Sequence, residues 1–144
     1  MAYCTQEDLL NQMPESELIE LTDDAGAGTI DAAKVAAAIA DADSEIDGYL
    51  GRQTTVPISP VPPTVRRWSV ALAIYNLVLR RGWDMGPDHV RRLAYRDAVA
   101  AMKEYAAGRL SLGVDDPDTP PSDADKPQMS SAEQIFSRDK LAGF

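Results

Sequence analysis

The chain has 144 residues, a net charge of −9, a single cysteine (Cys4) and a single histidine (His89). One cysteine excludes an internal disulfide and a cysteine-built zinc centre, and the length suits one domain with a modest core plus extensions. The charge is segregated: residues 1–50 hold twelve acids against one base (−11), 51–110 ten bases against four acids (+6), and 111–144 seven acids against three bases (−4). Such a pattern suits either neutralisation within the chain or contact between oppositely charged surfaces of copies or partners.

Met1–Asn11 has neither a basic start nor an apolar run of signal-peptide type, so a cytoplasmic product is expected. Thr5 and Asp8 form a capping-box pattern ahead of a short helix whose buried face is Leu9, Leu10 and Met13. Pro14 opens a second short helix through Leu21, with Leu18, Ile19 and Leu21 apolar. Thr22–Thr29 is a turn stretch. Its Gly26-Ala27-Gly28 lacks the preceding strand and third glycine of a dinucleotide loop.

From the N-cap Asp31 a long helix is expected to Leu50, with Val35, Ile39, Ala42, Ile46 and Tyr49 on a narrow seam. Asp41, Asp43, Glu45 and Asp47 fall off that seam. Successive odd positions rotate by about 200°, so only Asp43 and Asp47 share a face, which favours a solvated or partner-facing acidic surface over a metal site. The proline-rich connection after Gly51 cannot pair as a regular strand, but it can lay Val56, Ile58 and Val61 over the core.

Pro63–Gly82 is the organising element. It is apolar on nearly every side from Trp68 to Leu79, starts on a proline, and ends on Arg80, Arg81 and Gly82. Its uncharged run is about twelve residues, short of the roughly twenty that a bilayer needs, so it reads as a core helix. A last long helix is expected from Pro87 to Ala107, with Val90, Leu93, Ala94, Ala98, Ala101, Met102 and Tyr105 on its apolar stripe and His89 solvated in its first turn. Arg91, Arg92, Arg96 and Lys103 lie largely off the stripe and make no aromatic-and-basic groove of nucleic-acid-binding type.

Past Gly113 the composition becomes acidic and proline-rich. Residues 114–128 read as a linker that would not fold by itself. Residues 129–144 then restore Ile135, Phe136, Leu141 and Phe144, with Arg138 and Lys140 between them, as an apolar arm suited to docking. The fold class expected is mainly α: three longer helices and short N-terminal helices in a bundle over 1–113, with an extended C-terminal arm. No catalytic constellation, Walker loop or committed carboxylate pair is present in the sequence, so a binding or structural role is favoured over an enzyme.

Four stretches in register carry a family likeness: MAYCTQEDLLNQMPESELIELTDD, AIADADSEIDGYLGR, the proline run into PTVRRWSVALAIYNL, and FSRDKLAGF. Together they resemble the small head–tail joining proteins of Mu-like bacteriophages, the gp36-like group. The resemblance implies a non-enzymatic virion protein, made in the host cytoplasm, forming a homo-oligomeric ring of about a dozen copies between portal and tail. The partners implied are the portal protein and a tail terminator or other tail-completion protein, with double-stranded DNA only as passing cargo and no membrane. It transfers no catalytic, cofactor or metal residues. On this reading Asp41, Asp43, Glu45, Asp47, Arg66, Arg67, Arg91 and Arg92 are subunit-contact or lumen charges. The alternative is a small acidic DNA mimic that inhibits a host nuclease, against which the basic middle of the chain argues.

Overall fold

The chain divides into two units, Met1–Val114 and Asp115–Phe144. The computed structural model describes residues 1–113; the linker and the arm with Ile135, Phe136, Arg138, Lys140, Leu141 and Phe144 lie outside the described residues. The described unit contains five helices and no strand: α1 (Gln6–Leu10), α2 (Glu15–Thr22), α3 (Ala32–Leu50), α4 (Pro63–Arg81) and α5 (Val90–Ala106). It is mainly α, as expected. No described helix is long and apolar enough to cross a membrane.

Local chemistry sets most of the boundaries. The Thr5 hydroxyl accepts the Asp8 N–H while Asp8 accepts the Thr5 N–H, closing the capping box. Asp31 accepts the N–H groups of Ala33 and Lys34 at the start of α3. Gly82 ends α4 at φ 74°, a left-handed conformation that glycine adopts without a Cβ clash.

α3 and α4 form the most extensive interface, and α5 packs across both. α4 buries Val65, Trp68, Ser69, Val70, Leu72, Ala73, Ile74, Leu77 and Val78, more than any other helix. The α3 seam buries Val35, Ala38, Ile39, Ala42, Ile46 and Leu50. The proline-rich connection covers one edge, with Ile58 buried and Val56 and Val61 packed on the core.

One element, α5, departs from the expected pattern in two ways. α5 begins at Val90 instead of Pro87, because Gly86–His89 closes as a turn in which the His89 N–H donates to the Gly86 carbonyl at 3.1 Å. Pro87 supplies the second position of that turn, where a fixed φ is also favoured. His89 is the N-cap, its Nδ1 accepting the Arg91 N–H. The α5 stripe is also only partly covered: Ala98 and Met102 are buried, whereas Val90 is 72% exposed and Ala94 is exposed.

Candidate interaction site

The four acids of α3 do not form a solvated face. Asp41 is exposed, but Asp43, Glu45 and Asp47 are each half-buried and hydrogen-bonded within the chain. Asp43 accepts the Tyr3 N–H at 3.1 Å and the Ser69 hydroxyl at 2.8 Å. Burial raises its carboxyl above the usual range, and those two hydrogen bonds pull it partly back. Asp47 accepts the Tyr3 hydroxyl, which in turn accepts the Ile58 N–H at 3.1 Å.

Tyr3 is thus the pin that fastens the N-terminus and the proline-rich connection to α3. Burial, followed by the Asp47 hydrogen bond, pushes its phenol up to about 12. Cys4, beside Ser69 at 3.1 Å, is raised to about 11, mainly by burial, and is an inert core thiol at neutral pH. Sequence reasoning passed over Tyr3 and read Cys4 only for the disulfide and zinc centre that it excludes. Their signal was available: Cys4 and the buried Leu9 occupy the two positions of a hydrophobic staple around the Thr5 cap.

Glu45 accepts the Tyr95 hydroxyl at 3.0 Å, and Tyr95 stacks on Tyr75 with ring centroids 4.1 Å apart. Burial, then Glu45, raises the Tyr95 phenol to about 12. These contacts hold α5 against α3 and α4.

Much of the charge segregation is resolved inside the chain. Asp24 draws Lys34, Arg80 and Arg81, each at 2.9 Å, and Arg80 before Lys34 holds its carboxyl well below the usual range. Arg91 pairs with Glu17 at 2.6 Å, joining α5 to α2. Asp23 accepts the N–H groups of Ala27 at 2.9 Å and Gly28 at 2.6 Å. The glycine turn therefore spends on its own aspartate two of the amides that a phosphate loop would offer to a ligand.

Of the four arginines expected to be contact charges, Arg91 is therefore committed to Glu17. Arg92 reaches only the Met85 carbonyl, at 3.4 Å. Arg66 and Arg67 are exposed on α4 and form no ion pair among the described residues. They rim a groove of about 680 Å³ between α1, the first half of α4 and the first half of α5. Its floor is apolar: Trp68, Ala71 and Ile74 from α4, and Ala98 from α5. Val90 and Ala94, the uncovered part of the α5 stripe, form one wall. The volume falls in the roughly 300–1,000 Å³ range of clefts that hold ligands. Among the described residues, no group of three acids, histidines or cysteines is placed to hold a metal.

This helical unit has full-length relatives. The family model for Bacteriophage Mu, Gp36 matches residues 3–131. The chain belongs to that phage family. It is 30% identical over 142 residues to the Mu-like prophage FluMu protein gp36 of Haemophilus influenzae, covering 99% of this chain and 97% of that protein. It is 31% identical over 146 residues to Gene product J of Escherichia phage Mu, covering 100% of this chain and 99% of that protein. Within this gp36-family chain the charged network mostly builds the fold, and the α4/α5 groove is the surface left open.

Proposed function

We propose that this gp36-family protein is a non-enzymatic component of the phage particle that joins head to tail, acting as an oligomeric ring between the portal protein and a tail-completion protein. The observation that carries this reading is a match to a phage family over residues 3–131 of a chain whose small helical unit leaves an apolar, arginine-rimmed groove open. A surface of that kind fits a protein partner better than a small substrate, since its floor is apolar and its free charges sit at the rim. The DNA-mimic reading needs acids displayed on a surface, whereas Glu17, Asp24, Asp43, Glu45 and Asp47 are bound to partners within the chain.

On this reading the segment 129–144 engages a neighbour in the particle, and the helical unit folds without it. A phage carrying a deletion of this gene should accumulate DNA-filled heads and complete tails that are not joined. Supplying the full chain in trans should restore joined particles, and supplying residues 1–128 should not. Normally joined, infectious particles from the deletion phage would overturn the joining role.

A further inference from the structure

We infer that the α4/α5 groove is the seat for residues 135–144 of a second copy of this chain. This deepens the ring reading above and rests on it in taking the protein to act as several copies. The groove has the character of an unfinished core. Trp68 and Ile74 are only 4% and 5% exposed, yet beside them α5 presents Val90 at 72% exposure and an exposed Ala94, on a stripe whose Ala98, Ala101 and Met102 pack inward. A helix that turns part of its apolar stripe to water is missing a partner there.

The chain itself carries a segment with the complementary chemistry. Its composition includes two phenylalanines, Phe136 and Phe144, and both lie in the C-terminal stretch with Ile135 and Leu141. The core of the described unit is built with no phenylalanine. Four large apolar side chains within ten residues would stand in water unless a host buries them. Between those anchors the segment carries Arg138 and Lys140 against Asp139, and the groove is lined by the carboxylates of Asp8 and Asp97 as well as by Arg66 and Arg67. The seat and the segment therefore match in apolar character, and the two bases of the segment find Asp8 and Asp97 in the groove lining.

Reach permits a second copy as the donor, and the ring reading supplies one. The roughly twenty residues between the described unit and Ile135 span up to about 60 Å when extended, more than twice the roughly 13 Å radius of gyration of a domain this size. Groove and segment are different surfaces, so a copy that donates one and accepts the other makes a head-to-tail contact. Contacts of this kind close into rings where the rotation between neighbours closes, and run on as open filaments where it does not.

The test uses the full chain with p-benzoylphenylalanine in place of Val90 or, separately, Ala94. Both are exposed positions whose replacement spares the core. Equal amounts of ¹⁵N-labelled and unlabelled protein are unfolded together, refolded as one mixture, irradiated and digested, and the cross-linked peptides are identified by mass spectrometry. The expected result is a cross-link from position 90 or 94 to peptides within 131–144, with mixed-isotope pairs as abundant as same-isotope pairs. Phe136→Ala combined with Leu141→Ala should lower the yield by about tenfold while leaving the melting temperature unchanged. Same-isotope pairs alone would show that the segment returns to its own chain and would overturn the proposal. Cross-links confined to other parts of a second copy, or none up to the solubility limit, would also overturn it. Particles that contain the protein while this cross-link is missing would keep the joining role and remove only the docking. Particles that lack the protein would remove the joining role whatever the cross-link shows.

Discussion

The α3/α4 interface and the α4/α5 groove use the same residue types and end differently. At the first, α3 buries Val35, Ile39, Ala42 and Ile46 and α4 buries Leu72, Ala73 and Leu77 in one core, and the polar groups at its edge are paired: Ser69 with Asp43, and Tyr3 with Asp47. No buried side-chain nitrogen or oxygen among the described residues lacks a partner. At the second, alanines and Val90 face Trp68 and Ile74 across open space, and the arginines at the rim are unpaired. A closed interface holds the fold, and an apolar face left open while its polar neighbours stay solvated is available for assembly.

The comparison is broken most directly in the core. Trp68→Ala should cost about 3–5 kcal/mol and Leu72→Ala about 2–5 kcal/mol in denaturant unfolding. A variant that melted like the parent would show that α4 is not the packed centre. The next effect is alkaline. The folded-state pKa of Tyr3 is raised to about 12 from an unfolded value near 10, so its contribution is fully present below pH 10 and is lost as pH rises through 12, by up to about 3 kcal/mol. Chemical denaturation between pH 9 and 12 should show a falling stability that Tyr3→Phe makes shallower, with Cys4 and Tyr95 carrying the remainder; an equally steep fall in the variant would place the sensitivity elsewhere.

Charge and groove variants should do less. Arg91→Ala removes the tie to Glu17 and should cost about 0.2–1 kcal/mol, diminishing in high salt, because the pair is partly solvated. Val90→Thr in the groove should stay within about 0.5 kcal/mol of the parent. A loss of several kcal/mol at Val90 would mean that this wall already belongs to the monomer's core.

The sequence was most legible where a feature is local. The Thr5–Asp8 capping box, the Asp31 cap, the Gly82 stop and the periodicity of α3 are each decided within a few residues, and each stands where the sequence put it. Pro87 was ambiguous locally, since proline suits both a first helical turn and a β-turn, and the turn won. The acids of α3 were legible as to face and not as to environment. That Asp43 and Asp47 share a side follows from helix geometry, but that this side meets Tyr3, forty or more residues away in sequence, depends on tertiary packing. The groove was hidden for the same reason: an apolar stripe looks alike in sequence whether its partner is in the same chain or in another.

Purified particles give the most direct test of the functional account. Quantitative mass spectrometry of this protein against the portal protein should return a ring's complement, about a dozen copies per particle, at a fixed ratio to portal. Complete, infectious particles with none of it would contradict the account.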